Sequence, residues 1–207
     1  MKIALDLDDV LLDFIPALAT FHNKRYGTSL TKKDFHSYYF ADVWGGTVDE
    51  AIQKMHIFYD SKYFDNMLPV EGSVEGVNYL KKEHDLLIAT SRIVPPEKTF
   101  ISLDTHFADT FSRESVYFAY NHWTGCGHSN KTKAEICIDK NVDILIEDSI
   151  EYANEVASKG IPVLIPNQPW NENHKIHNNV KRVYSWGEIV YLLSHPNSLS
   201  KREISSL

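Results

Sequence analysis

Three aspartates near the chain start, Asp6, Asp8 and Asp9, stand where a short apolar run ends, and their types and spacing set the chemistry to be explained. Lys2-Ile3-Ala4-Leu5 is long enough for a buried strand. Carboxylates gathered at its end repel one another and resist desolvation unless a cation or a shared proton offsets them. Residues two apart on an extended chain point to the same side, so Asp6 and Asp8 share one. Two oxygen donors on one side suit a hard divalent cation such as Mg2+, and they can also divide nucleophilic from acid–base work. Asp9 alone fits equally well a turn or a helix N-cap ahead of Val10-Leu11-Leu12.

Two further apolar runs end the same way. Leu86-Leu87-Ile88-Ala89 runs into Thr90-Ser91-Arg92, and Val142-Asp143-Ile144-Leu145-Ile146 runs into Glu147-Asp148-Ser149. The loop 121–130 carries His122, Cys126 and His128, which is an incomplete zinc set without paired-cysteine spacing.

The elements that must position these groups follow from periodicity. Strands are expected at 2–5, 86–89, 116–120, 142–146, 161–165 and 182–184. Helices are expected at 10–26, stopped by Gly27, at 73–84 with Ser73 as cap, and from Pro95-Pro96 with Phe100, Leu103 and Phe107 on one face. Others are expected at 131–140 capped by Ser129, at 150–157 closed by Gly160, and around 186–193. Residues 28–68 are rich in aromatics and show no clear strand. Thr47-Val48-Asp49-Glu50 is a capping box opening a helix with Val48, Ile52, Met55 and Tyr59 on its apolar face, so this stretch reads as a small helical insertion. Within it, Asp42-Val43-Trp44-Gly45-Gly46 reads as a flexible aromatic loop over a pocket. Alternating strands and helices imply an α/β, Rossmann-like parallel sheet wrapped by helices, with ligands outside the carboxyl ends of the strands. Asp6, Asp8, Thr90, Ser91, Glu147 and Asp148 all fall at such ends. Residues 196–207 are polar and without period, and read as a loose tail.

Bulk properties narrow the class. The 207 residues fit one domain of ordinary size or a core with an insertion, and 43% hydrophobic with 24% charged residues is average for a globular chain. No apolar run approaches a membrane span, and no signal peptide is recognisable, so a cytoplasmic location is expected. Cys126 and Cys137 would then stay reduced. A net charge of −7 argues against a nucleic-acid polymer as partner, though not against an anionic small molecule.

The quoted motifs, with a lysine near 133, resemble in order the four motifs of the haloacid dehalogenase superfamily of phosphatases. Within it the chain is most similar to the 5'(3')-deoxyribonucleotidase group and its bacterial nucleotidase relatives. That likeness rests on Asp13-Phe14, Thr90-Ser91, Ile146-Glu147-Asp148-Ser149, Gln168-Pro169-Trp170-Asn171 and Trp186-Gly187-Glu188, and it spans Lys2 to about Leu193. The resemblance implies a core of residues 1–14 and 69–195 with residues 15–68 as a helical cap. It implies that Asp6 attacks phosphorus and that Asp8 protonates the leaving oxygen and then activates water. Mg2+ would be held by Asp6, the backbone carbonyl of Asp8 and Asp148, with Glu147 in support. Thr90, helped by Ser91, would hydrogen-bond the phosphoryl group, and Lys133 would neutralise it, with Lys131 competing for that role. Phe14 would wall the substrate pocket, with Trp44 as a second candidate. Two positions depart from the pattern. Asp9 replaces a common Gly, and Arg92 replaces a common Pro, leaving open whether Arg92 meets the phosphate or a surface acid. The implied activity is a Mg2+-dependent phosphomonoesterase of nucleoside monophosphates, a small-molecule enzyme with no membrane partner and compatible with a homodimer. Alternatives are a sugar-phosphate phosphatase, a receiver-type phosphoacceptor and a silent phosphate-binding protein.

Overall fold

The computed structural model describes residues 1–195, so the expected tail at 196–207 lies outside the described residues. Its strands are β1 (Lys2–Leu5), β2 (Asp85–Thr90), β3 (Val116–Phe118), β4 (Ile144–Ile146), β5 (Val163–Pro166) and β6 (Val180–Val183). They form one sheet in the order β3-β2-β1-β4-β5-β6, every pair parallel. The N-terminal strand thus lies inside the sheet, between β2 and β4.

A parallel sheet needs crossover connections, and these cover both of its faces. The helices are α1 (Phe14–Tyr26), α2 (Phe40–Trp44), α3 (Val48–Tyr59), α4 (Lys62–Asp65), α5 (Ser73–Leu80), α6 (Pro96–His106), α7 (Lys133–Asp139), α8 (Ile150–Ser158) and α9 (Trp186–Ser194). Alternation along β1 separates two buried clusters. Ile3 and Leu5 join Leu18 of α1, Val77 of α5, Leu103 of α6 and Ile189 of α9. Ala4 joins Ala134 and Cys137 of α7 and Val156 of α8. The insertion's Phe35, Phe58 and Phe64, all fully buried, belong to the first cluster, so its aromatics pack continuously with the sheet.

Several boundaries differ from expectation for local reasons. α1 starts at Phe14 because Asp9 adopts φ +54° and the next residues turn back, with the amides of Leu11 and Leu12 donating to the Leu7 carbonyl. The Asp9 carboxylate then accepts the Ile15 amide at 3.2 Å, serving the helix start from outside it. The expected loop at 42–46 is instead the end of α2, closed by Gly45 at φ +74°. Thr47 and Glu50 do cap α3 reciprocally. α7 is capped by Thr132 with Glu135 rather than by Ser129, whose hydroxyl accepts the Lys131 amide. Ser73 is the first residue of α5 and donates to the Leu11 carbonyl at 3.1 Å instead of capping. α5 and α9 meet closely at Gly76, where an added Cβ would fall 2.4 Å from the Trp186 ring. Trp186 in turn donates its indole N–H to the Val10 carbonyl at 2.9 Å, tying α9 to the turn after β1.

Candidate active site

Because β1, β2 and β4 are adjacent and parallel, their carboxyl ends open on one edge, and the acids that follow them converge there. One oxygen each of Asp6, Glu147 and Asp148, all buried, lies within 4.8 Å of the others. Lys133, the first residue of α7 and only 1% exposed, sets its ammonium 2.7 Å from Asp6 Oδ1 and 2.6 Å from Glu147 Oε2. Lys131 points away and pairs with Asp139 on the surface. Of the two lysines, Lys133 is the one at the acidic group.

The electrostatics follow from burial. Desolvation raises the pKa of Asp6, with the Lys133 charge pulling the other way. Glu147 and Asp148 are held well above the ordinary carboxylate value by desolvation and then by repulsion from Asp6. Burial disfavours the Lys133 ammonium, yet Asp6 and Glu147 more than offset that, and its pKa is raised. Three carboxylates facing one ammonium leave surplus negative charge in a dry pocket. An all-oxygen set of this kind fits a hard divalent cation.

Each carboxylate is oriented by protein donors. Glu147 uses both oxygens, Oε2 for Lys133 and Oε1 for the Ser149 amide at 3.0 Å, which suits support rather than direct ligation. Asp148 Oδ2 accepts the Trp170 indole N–H at 2.8 Å and the Tyr38 hydroxyl. Its backbone carbonyl accepts from Asn171 Nδ2 at 2.8 Å, and Arg182 holds Asn171 from behind. Trp170 and Asn171 belong to the loop after β5 that carried part of the family likeness, and their work is to fix Asp148.

Thr90 is buried at the end of β2 and its Oγ1 accepts the Arg92 amide at 3.3 Å. Ser91 donates to the Tyr120 carbonyl at 3.4 Å. Arg92 resolves one open alternative in its own way. It is buried, and its fork meets Asp8, with Nε 3.0 Å from Oδ2 and Nη2 2.6 Å from Oδ1. Its guanidinium also lies 5.0 Å over the Phe64 ring. The acid it meets belongs to the site and not to the surface. The Asp8 side chain stays outside the acidic group, which is compatible with the expectation that only its backbone carbonyl would serve a cation.

Above this edge is a cavity of about 260 Å³ bordered by the acids, Thr90, Ser91, Arg92 and Lys133, and then by aromatics of the insertion. Phe14 lines it, packed edge-on to Phe58 at 5.4 Å. Trp44 does not line it. That ring stacks on His22 at 4.7 Å, so it is not the pocket wall expected from the sequence. Tyr38, Tyr39 and Trp123 take up wall positions that sequence reasoning missed, Tyr38 stacking on Trp123 at 5.4 Å. Only the aromatic richness of residues 28–68 hinted at them. His122, Cys126 and His128 form no metal group among the described residues. His122 faces Glu155 and His128 meets the Val94 carbonyl.

Comparison with known proteins gives a family and a shared fold. The family model described as "5' nucleotidase, deoxy (Pyrimidine), cytosolic type C protein" matches residues 1–197. Among solved structures, a haloacid dehalogenase (HAD) family hydrolase of Deinococcus radiodurans with bound phosphate and sodium is similar at 15% identity, TM-score 0.64, over 96% of this chain and 97% of that one. A haloacid dehalogenase-like hydrolase of Streptococcus pneumoniae is similar at 16% identity, TM-score 0.67, over 93% and 97%. A protein of Bacillus subtilis described as a HAD-hydrolase bound to magnesium is similar at 14% identity, TM-score 0.59, over 93% and 97%. No curated protein sequence matches significantly. No helix among the described residues is long and apolar enough to cross a membrane.

Proposed function

The chain belongs to the 5' nucleotidase, deoxy (pyrimidine), cytosolic type C family, phosphate-ester hydrolases on the haloacid dehalogenase fold, and from that premise we propose that it is a Mg2+-dependent phosphomonoesterase of nucleoside monophosphates in the cytoplasm. The observation that carries the reading is Lys133 bridging Asp6 and Glu147 beside Asp148, directly beneath an aromatic cavity. Core residues 1–14 and 69–195 then supply the chemistry and residues 15–68 act as a cap over it.

In this reading Asp6 attacks phosphorus. A bond forms from its carboxylate oxygen to phosphorus while the bond to the leaving oxygen breaks, and Asp8 gives that oxygen a proton. Water then attacks the aspartyl-phosphate, losing its proton to Asp8 and freeing inorganic phosphate and Asp6. Phosphoryl transfer needs little from a protein beyond positioning and neutralising the phosphoryl oxygens. Lys133 supplies fixed positive charge, and Thr90 with Ser91 supplies hydroxyl donors. Asp6 and Asp148, with the Asp8 carbonyl, would hold Mg2+. A bound Mg2+ adds charge that offsets the phosphoryl oxygens. The flat rings of Phe14, Tyr38 and Trp123 along the cavity favour a planar base as the leaving group's far end.

The test is phosphate release with Mg2+ from deoxy- and ribonucleoside 5'- and 3'-monophosphates, sugar phosphates and p-nitrophenyl phosphate, with Asp6→Asn as control. Preference for a nucleotide and silence of Asp6→Asn are the expected result. Activity on sugar phosphates alone would overturn the substrate class, and full activity of Asp6→Asn would remove the nucleophile.

A further inference from the structure

Asp148 is held by two donors from different parts of the molecule. Trp170, from the loop after β5, donates its indole N–H, and Tyr38, ahead of α2 in the insertion, donates its hydroxyl. Both end on Oδ2, and Oδ1 accepts no hydrogen bond among the described residues. A carboxylate tied through one oxygen presents the other in a fixed direction. That is how outer partners orient a metal ligand and tune its affinity.

Tyr38 reaches Asp148 from 110 residues away in sequence, and its ring is held at the same time. Trp123 stacks on it at 5.4 Å with 26° between planes, and Trp170 meets it edge-on at 5.9 Å. Asp148 Oδ2 already accepts the Trp170 indole N–H, and the phenol beside it is the second donor to the same oxygen. Tyr38 is therefore the point at which the insertion touches the acidic group itself. Phe14 and Phe58 bind the insertion to the core by apolar packing alone, and Phe64 touches the site only through Arg92.

We propose that Tyr38 is a positioning residue for the cation site, and that divalent-cation binding at Asp148 and docking of the segment ahead of α2 on Asp148 are therefore linked. The inference rests on the proposed metal site and goes beyond it by assigning a residue of the insertion to it. The linkage works in both directions. With Tyr38 in place on Oδ2, Asp148 is oriented for the cation, and a cation held by Asp148 in that orientation favours the segment that carries Tyr38 in place. Coupling of binding to conformation is reciprocal by thermodynamic necessity.

The test needs no substrate. Mg2+ affinity is measured by titration calorimetry on the full chain, for wild type, Tyr38→Phe and the surface control Tyr184→Phe. The phenylalanine variant keeps the stacking on Trp123 and removes only the donor. Loss of about tenfold or more in affinity is expected for Tyr38→Phe, the range seen when an outer partner of a metal ligand is removed, with Tyr184→Phe unchanged. On wild type alone, hydrogen exchange with and without Mg2+ should show protection gained by residues 36–44. Equal affinity of Tyr38→Phe and wild type, or no gain of protection on Mg2+ binding, would overturn the inference while leaving the metal site standing. A wild type that binds no Mg2+ would overturn both, and the outcome of the phosphate-release panel bears on neither measurement.

Discussion

Replacing Lys133 by methionine isolates the electrostatics of the acidic group. The change keeps the stem and its packing and deletes the ammonium that lies 2.7 Å from Asp6 and 2.6 Å from Glu147. Removing one partner of a buried ion pair typically costs about 3–5 kcal/mol. Here two carboxylates lose the same partner with Asp148 close by, so the upper part of that range, about 4–5 kcal/mol, is expected at pH 8 without metal. For a chain of this length that is a fall in Tm of roughly 8–20 °C. The sign with pH can be worked out. Asp6 and Glu147 already hold protons more tightly in the folded state, and losing Lys133 raises them further. At these two groups the folded variant therefore binds more protons than its unfolded chain, so the stability they contribute is greatest below about pH 4 and drains away as pH rises through the raised values. Wild-type Lys133, with its pKa raised, stays charged over the same window. The deficit should widen from pH 5 to pH 8. Thermal melts by circular dichroism in EDTA at the two pH values read it. A deficit under about 1 kcal/mol, or one that is the same at both, would refute the reasoning.

Three other outcomes are expected. Mg2+ should raise Tm more at pH 8 than at pH 5. Without metal, the contribution of Asp6, Glu147 and Asp148 to stability falls above about pH 4 as they are made to ionise, and the cation favours the ionised forms; an equal rise at both would count against the acidic group as its site. Arg92→Lys should lose the fork on Asp8 and with it about 1–2 kcal/mol in melts, less than for a fully dry pair because a quarter of the Asp8 side chain is exposed; no change would mean the pair carries nothing. Phe14→Leu, which keeps most of the apolar volume against Phe58, should raise KM for a nucleotide by about 2–10-fold while p-nitrophenyl phosphate changes less, and equal changes would argue against base stacking.

What could be read from the chain alone was whatever is local to a strand end. An apolar run followed by acid or hydroxyl announces itself within ten residues, so Asp6, Thr90, Glu147 and Asp148 could be named before their meeting was known. The parallel sheet followed from alternation, and the convergence of the strand ends from the sheet. Lys133 could be separated from Lys131 only by the likeness, since neither periodicity nor charge distinguishes a buried lysine from its exposed neighbour two residues away. Tyr38, Trp170 and Asn171 carry no local signature of their task. Their contacts with Asp148 span 110, 22 and 23 residues. Trp44 was misplaced for a related reason: α2 is only five residues long, too short for a pattern to show, and its turn aims the indole at His22. Arg92 looked like a phosphate ligand or a surface ion until the fold brought Asp8 across to it.

The position of β1 also bears on how the protein is made. Its four residues leave the ribosome before any of their partners exist, since β2 begins at Asp85 and β4 at Ile144. At a synthesis rate of roughly 5–20 residues per second, the last of those partners follows about 7–30 s later. Through that interval Ile3-Ala4-Leu5 is an unpaired apolar segment with two bare edges, and Asp6 beyond it has neither Lys133 nor Asp148 for company. The same delay makes β1 a segment that gains from a chaperone's shelter during translation.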